Sequence, residues 1–291
     1  MFRVKRINKE DVKPVKFIDV IEDKRPVRGA TIFPEIYANI FFCARKKSGK
    51  TSAIYHTIEN CATIETRVIA FCSTIHRDPS WRSIKKLCED MKVKFYEYSS
   101  IKDPETKTDI LDAIVKDLEQ TTGDEKPFEE EKKPIDLIMT NFRFQNGAGK
   151  KPKPKKPKEK APRIIFIFDD LSGELISPSV TQLLKKNRHF KSKVLISSQY
   201  WNDIALQARK QVDYVLLYGG LAKSIPKMRD IFKDLDLSIE FETFMQLYSF
   251  ATKEKHHFLY ISVVESTFRK DFNYELDPPK DDDEELAERE L

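Results

Sequence analysis

The residues whose types and spacing point most directly to chemistry lie at positions 44–51, where the sequence reads Ala-Arg-Lys-Lys-Ser-Gly-Lys-Thr. This spacing is that of a phosphate-binding loop, in which backbone N–H groups surround phosphates and a threonine hydroxyl binds Mg²⁺. Lys50 is predicted to neutralise the β- and γ-phosphates, and Thr51 to hold the metal. Ala44 stands where the pattern usually has glycine, so the start of the loop is expected to differ slightly. The residues predicted to bind a nucleoside triphosphate are Lys46, Lys47, Ser48, Gly49, Lys50 and Thr51.

A pair of carboxylates follows a strongly apolar run at residues 164–168. Such a run is typical of a buried strand in a parallel sheet, and ligands bind at the carboxyl ends of these strands. Asp169 is predicted to hold Mg²⁺ through a water, and Asp170 to polarise the attacking water. Asp170 is one methylene shorter than the glutamate common at this place, which leaves its reach open. The alternative is an acidic turn that caps the next helix.

A third polar strand end is formed by Gln199, which follows the apolar run at residues 193–197. Its amide could contact the γ-phosphate or orient water, and it could equally cap a helix beginning near residue 201. Arg188 is a candidate arginine finger that acts on a neighbouring subunit's nucleotide, although a solvated arginine at a helix end is the simpler interpretation. Arg209 is a weaker candidate for the same role.

The elements that must position these residues alternate along the chain. Predicted strands lie at residues 39–43, 67–72, 92–98, 164–168, 193–197, 213–218 and 258–264. Predicted helices lie at residues 51–62, 81–91, 108–119, 178–186, 201–210, 225–233 and 240–251. Alternation at this spacing indicates parallel βαβ units, so the predicted fold class is α/β, with a central, mostly parallel sheet flanked by helices.

The domain organisation follows from composition. Residues 1–35 are predicted to form an N-terminal arm and residues 36–276 a single nucleotide-binding domain, which a flexible charged insert interrupts at residues 121–162. Within the insert, residues 150–160 contain seven lysines and three prolines and no apolar side chain. Such a segment is expected to stay disordered, because nothing offsets the entropy of ordering it. Its lysines could bind the phosphates of nucleic acid, or the segment could act only as a linker or localisation signal.

Charge and cysteine usage narrow the class of protein. The chain carries +5, but residues 277–291 contain eight acidic and two basic residues, so residues 1–276 carry +11 and the tail is predicted to be disordered. A basic body suggests a polyanionic partner. The cysteines form no Cys-x-x-Cys pair, and the sequence has neither a secretory signal nor a membrane-length apolar run, so a soluble intracellular protein is expected.

Together, the motifs resemble the genome-packaging ATPases of poxviruses and other large DNA viruses, in the FtsK/HerA superfamily of DNA-pumping motors. Over roughly residues 36–265, four places match. They are the loop at 44–51, the strand and acid pair at 164–170, Asn187-Arg188-His189, and the strand at 194–199 that ends in Gln199. The acid pair and the Arg-His pair before a Gln-ended strand are usual in the viral branch.

This resemblance implies a P-loop NTPase of the RecA-like type that uses ATP and Mg²⁺. It further implies that hydrolysis moves double-stranded DNA into a capsid, that the chain acts as a homo-oligomeric ring, and that capsid portal or vertex proteins are partners. The host cytoplasm, a virus factory or the virion would be its location.

Three other functions share the phosphate-binding loop. A nucleotide or nucleoside kinase usually has an arginine-rich lid near the carboxyl third, and no such cluster is present. An ATP-gated assembly protein would bind ATP without useful turnover. A helicase would share translocation along DNA and would separate its strands.

Overall fold

A computed structural model of the chain describes residues 24–122, 159–171 and 173–278. The first 23 residues of the predicted arm, most of the predicted insert and the acidic tail from residue 279 onward lie outside the described residues. The predictions for the lysine-rich segment and the tail therefore stay predictions.

In the described residues, one sheet of nine strands forms the centre of the fold, in the order β3-β2-β4-β5-β1-β6-β7-β8-β9. Its strands are β1 Asn39–Cys43, β2 Arg67–Cys72, β3 Lys94–Tyr98, β4 Ile164–Asp169, β5 Ser192–Ser198, β6 Tyr214–Tyr218, β7 Phe258–Ser262, β8 Thr267–Lys270 and β9 Tyr274–Leu276. The six strands from β3 to β6 in this order are parallel. The last three are antiparallel additions. The predicted mostly parallel sheet is confirmed.

Helices cover both faces of this sheet. They are α1 Lys50–Cys61, α2 Pro79–Asp90, α3 Ile110–Thr122, α4 Pro178–Lys186, α5 Leu206–Arg209, α6 Ile225–Leu235 and α7 Phe241–Ala251. Because successive strand residues point to opposite faces, Ile40 and Phe42 of β1 pack with α1 and α2, whereas Phe41 packs on the face that carries α3, α4, α6 and α7. None of the described helices is both long and apolar enough to cross a membrane.

The prediction of a continuous helix at residues 201–210 is wrong. A 3-10 turn at Trp201–Asp203 is separated from α5 by Ile204 and Ala205, which have extended backbone. The Trp201 indole donates to the carboxylate of Asp234 at 2.8 Å, and Ile204 is fully buried. These tertiary contacts override the local helical preference, because the burial of Ile204 and a partly buried hydrogen bond outweigh propensity over so short a segment.

Described residues of the predicted arm and of the predicted insert make contacts within the fold. Ile32 and Phe33, in the range predicted to be an arm, are buried against the same face as α1. Lys160, in the range predicted to be a flexible insert, forms a parallel bridge with Val27, and its N–H donates to the carbonyl of Pro26 at 2.8 Å. The described end of the insert therefore pairs with the described end of the arm.

Candidate active site

The phosphate-binding loop connects the carboxyl end of β1 to α1. Lys47 and Gly49 have left-handed backbone, with φ of 61° and 98°, and glycine adopts this conformation without steric cost. The Ser48 hydroxyl donates to the carbonyl of Arg45 at 2.7 Å, which tightens the turn. Ala44 is fully buried and lies outside the set of left-handed residues, and its N–H donates to the carbonyl of Ser198 at 2.9 Å. Alanine is therefore compatible with the start of this loop.

The loop presents a series of free backbone donors. Within the part of the chain that the structure describes, no N–H group of residues 46–51 donates to a protein oxygen. The last of these groups belong to the first turn of α1, where the helix dipole adds partial positive charge. Consecutive N–H groups of this kind form a binding site for an anion such as phosphate.

Lys50 brings the loop and the acid pair together. Its Nζ lies 3.0 Å from Oδ1 of Asp169 and 2.7 Å from Oδ1 of Asp170, across the carboxyl edge of the sheet. Burial alone would lower the pKa of Lys50, but the two carboxylates outweigh burial and raise it above its ordinary value. Lys50 is therefore a protonated ammonium group shared between two acids.

Asp169 ends β4 and is only 2 % exposed. Burial raises the pKa of its carboxyl above the ordinary value, and Lys50 offsets only part of this effect. The Thr51 hydroxyl and this carboxylate are both oxygen donors, which is the ligand type Mg²⁺ prefers. In the described ranges, no three His, Cys, Asp or Glu side chains come close enough together to hold a metal ion alone. Thr51 and Asp169 would hold Mg²⁺ together with the phosphates of a nucleotide, and this role stays a prediction.

Asp170 follows β4 with a left-handed backbone, at φ 54°. The Ser73 hydroxyl, just past the end of β2, donates to the Asp170 carbonyl at 2.9 Å and so fixes this turn. The two residues meet because β2 is the neighbour of β4, with Cys72 opposite Asp169. No local pattern in the sequence points to Ser73, because its contact with Asp170 depends on the order of strands in the sheet.

Gln199 lies just past β5, the strand between the loop strand β1 and the acid strand β4. Its backbone is close to the start of the loop, since its carbonyl lies 3.9 Å from the Cys43 thiol. No contact of its side chain with the acid pair is present, so the predicted contact with the γ-phosphate stays a prediction.

Two cavities border the loop and share Arg45 and Lys46. The larger, here called the aromatic cavity, has a volume of about 810 Å³ and contains Gln199. The smaller, here called the lysine-lined cavity, has a volume of about 440 Å³ and borders the loops before β7 and after β6. Its other lining residues are Lys47, Ser48, Gly219, Gly220, Thr252, Lys253, Glu254, Lys255 and His256.

The two candidate arginines lie away from the acid pair. Arg188 precedes β5 and is therefore at the opposite edge of the sheet, where its side chain is 66 % exposed and pairs with Glu35 at 3.2 Å. Arg209 pairs with Asp234 at 3.0 Å and is mostly buried. In the described residues, neither arginine forms an ion pair with Asp169 or Asp170, and a role for Arg188 in a neighbouring subunit stays a prediction.

No protein-family model matches the sequence, and no curated protein matches it either. Several solved structures are similar in fold. The genome packaging NTPase B204 of Sulfolobus turreted icosahedral virus 2, in complex with AMP, shows 15% identity and a TM-score of 0.48, with 81% of this chain and 98% of that chain covered.

B204 of Sulfolobus turreted icosahedral virus, described as a DNA-packaging ATPase, shows 15% identity and a TM-score of 0.47, with 80% of this chain and 96% of that chain covered. The cytoplasmic domain of the Thermomonospora curvata type VII secretion ATPase EccC shows 10% identity and a TM-score of 0.42, with 82% of this chain and 24% of that chain covered.

Proposed function

We propose that this chain is an ATP-hydrolysing motor that moves double-stranded DNA into a viral capsid and acts as a homo-oligomeric ring. The observation that carries the ATPase part is the contact of Lys50 with both Asp169 and Asp170, beside the free N–H groups of the loop. A lysine, an anion-binding loop and two carboxylates at one sheet edge are the parts that phosphoryl-group chemistry requires.

The strand order supports a direction for the bound nucleotide. β1 lies between β5 and β6, and the acid pair follows β4 on the far side of β5. A triphosphate in the loop with its γ-phosphate toward Asp170 would extend its nucleoside toward the β6 side. The lysine-lined cavity borders Gly219 and Gly220 just past β6, so it is the proposed place of the nucleoside.

In the proposed reaction, Lys50 leaves the carboxylates and neutralises the β- and γ-phosphates. The freed Asp170 carboxylate accepts a proton from water while the water oxygen bonds to the γ-phosphorus and the bond to the β-phosphate oxygen breaks. Gln199 orients the water. Mg²⁺ bound at Thr51 and Asp169 would supply further charge neutralisation at the phosphates.

The DNA part of the proposal rests on charge and on the four matched motifs. Residues 1–276 carry +11, which suits a polyanionic partner. The Gln-ended strand β5 lies between the loop strand and the acid strand. Capsid portal or vertex proteins are the proposed assembly partners, in keeping with the resemblance.

The test measures phosphate release and oligomeric state together, with and without double-stranded DNA. We expect turnover that DNA stimulates, and its loss in Lys50→Ala, because the loop then lacks its ammonium group. Lys86→Ala, an exposed lysine on α2 with the same change of charge, should retain turnover.

Rapid ATP hydrolysis at the same rate with and without DNA would contradict the proposal. Phosphoryl transfer to a nucleoside would identify a kinase, and strand displacement a helicase. Tight ATP binding without turnover would identify an ATP-gated assembly protein.

A further inference from the structure

The aromatic cavity is larger than the lysine-lined cavity and lies on the other side of the phosphate-binding loop. It is bordered by the segment after β5, from Gln199 to Asp203, and by the first turns of α6. Its wall contains apolar and aromatic side chains, and its mouth contains Arg45, Lys46 and Lys227 together with Asp203 and Asp230. The proposed ATPase reaction uses Gln199 from this wall and leaves the rest without a role.

Two side chains at the mouth have the chemistry that recognises a nucleic acid strand. Tyr200 is 52 % exposed, which is unusual for so large a ring next to a buried strand. The Lys227 ammonium lies over this ring, 4.4 Å from its centre. An exposed aromatic face beside a cation is the combination with which proteins hold the bases and phosphates of nucleic acid strands.

The three cations around the mouth outnumber the two acids of the lining. In the described residues, none of Arg45, Lys46 and Lys227 makes an ion pair with a carboxylate. Of the two acids in the lining, Asp203 accepts a hydrogen bond from the Ser198 hydroxyl and is already engaged. The mouth therefore offers unpaired positive charge to an anionic ligand.

The segment that contains Tyr200 is held in place by the next residue, Trp201. Trp201 donates its indole N–H to Asp234 at 2.8 Å, and its ring meets that of Phe41 edge-on at 5.0 Å. Tyr200 stands between this fixed residue and Gln199. A ligand that packs on the Tyr200 ring would therefore lie beside Gln199, the residue proposed to orient water.

We propose that the aromatic cavity is where the chain senses DNA: the phosphodiester backbone contacts Lys227 and Lys46, a sugar or base packs on Tyr200, and the contact is relayed to Gln199. This proposal rests on the proposed function and assigns it a DNA contact and a path to the catalytic site. A second nucleotide is a poorer fit, because Lys46 is the one residue with a free loop N–H group that also lines this cavity in the described part of the chain.

The test uses the full chain with Lys227→Ala and Tyr200→Ala. The matched control is Lys233→Ala, which removes the same charge from the same helix outside the cavity. Tyr200→Phe keeps the ring and serves as a conservative variant. Binding of a labelled DNA duplex and of a single strand of the same sequence is measured over a salt series, alongside ATP affinity, DNA-free turnover, DNA-stimulated turnover and thermal unfolding.

We expect Lys227→Ala to weaken DNA binding roughly fivefold or more at low salt, and to reduce the slope of log K against log salt by about 0.9. Tyr200→Ala should weaken binding by roughly fivefold, and Tyr200→Phe much less. Both alanine variants should lose most of the DNA stimulation, while ATP affinity and DNA-free turnover stay within about twofold of wild type. The duplex and single-strand arms show which form of DNA the cavity prefers.

Three results would overturn the proposal. If wild type is stimulated by DNA and Lys227→Ala behaves as Lys233→Ala does, DNA contacts another surface and only the sensing role fails. If the cavity variants change ATP affinity and leave DNA binding intact, the cavity belongs to the nucleotide. If wild type binds neither form of DNA, the proposed motor function fails as well.

Discussion

Among single residues, Lys50 has the largest influence on the charge balance of the site. One ammonium group faces two carboxylates, and the same group is required for binding the β- and γ-phosphates in the proposed reaction. Nucleotide binding must therefore exchange one set of ionic contacts for another. This exchange also frees Asp170, so the base becomes able to accept a proton when substrate is in place.

Replacing Asp170, the proposed base, tests whether Lys50 exchanges its carboxylate contacts for phosphate contacts. Asp170→Asn should still bind ATP, at least as tightly as wild type, because Lys50 then has one carboxylate fewer to compete with the phosphates. Hydrolysis should fall by roughly 10²- to 10⁴-fold, since an amide cannot accept the proton of water. Equilibrium nucleotide binding and phosphate release are the measurements, with the exposed Asp90→Asn as control. Equal rates would remove Asp170 from the mechanism.

Ser73 is expected to act through Asp170, as a positioning residue. Ser73→Ala removes the hydrogen bond to the Asp170 carbonyl, so kcat should fall about fivefold, the equivalent of one hydrogen bond, with KM for ATP unchanged. Ser73→Thr keeps the hydroxyl and should recover most of the activity. A higher KM at unchanged kcat would instead assign Ser73 to ATP binding.

At the scale of elements, β5 contains an unusual buried cation. Lys193 is 1 % exposed, its Nζ donates to the Glu35 carbonyl at 2.7 Å, and burial lowers its pKa below the ordinary value. Between this lowered pKa and the unfolded value of about 10.4, the unfolded chain holds a proton that the folded chain has lost. The free energy of unfolding should therefore rise with pH between the folded-state pKa and the unfolded-state pKa of Lys193.

Lys193→Met should remove this pH dependence. Because burying a charge is costly, we expect the variant to be as stable as wild type or more so at pH 7, by about 1 kcal/mol. Denaturant unfolding at several pH values measures both effects, and the exposed Lys94→Met on β3 is the control. A large loss of stability at pH 7 would show that the bond to Glu35 outweighs the cost of burial.

The sequence predicted the elements better than the contacts between them. Apolar runs located β1, β4, β5 and β6, because strands buried on both faces are continuously apolar. β8 and β9 were missed, since in these short strands only Phe268 is fully buried and the pattern is too weak. The convergence of Lys50, Asp169 and Asp170 follows from parallel strands that end at one edge. The role of Ser73 and the break before α5 depend on strand order and on Asp234, which local patterns do not contain.

At the scale of the whole molecule, the position of Arg188 gives a test of assembly. It lies at the sheet edge opposite the phosphate-binding loop, so any catalytic role must be across a subunit interface. Arg188→Ala and Lys50→Ala should each be nearly inactive alone. In an equimolar mixture, about a quarter of ring interfaces would join an intact Lys50 site to an intact Arg188, and turnover should return in proportion.

The control for this mixture is Lys50→Ala with Asp170→Asn, where both changes affect the same site and no interface can be complete. Turnover should then stay absent. Full activity of Arg188→Ala by itself would show that another residue acts across the subunit interface.

The left-handed backbone at Asp170 also limits how this acid pair can evolve. Among residues other than glycine, aspartate and asparagine occupy such backbone far more readily than longer side chains. A glutamate at this position would gain one methylene of reach but would occupy an unfavourable conformation. The shorter acid is therefore the one that suits this turn, and a lineage with the longer acid would need a different chain path after β4.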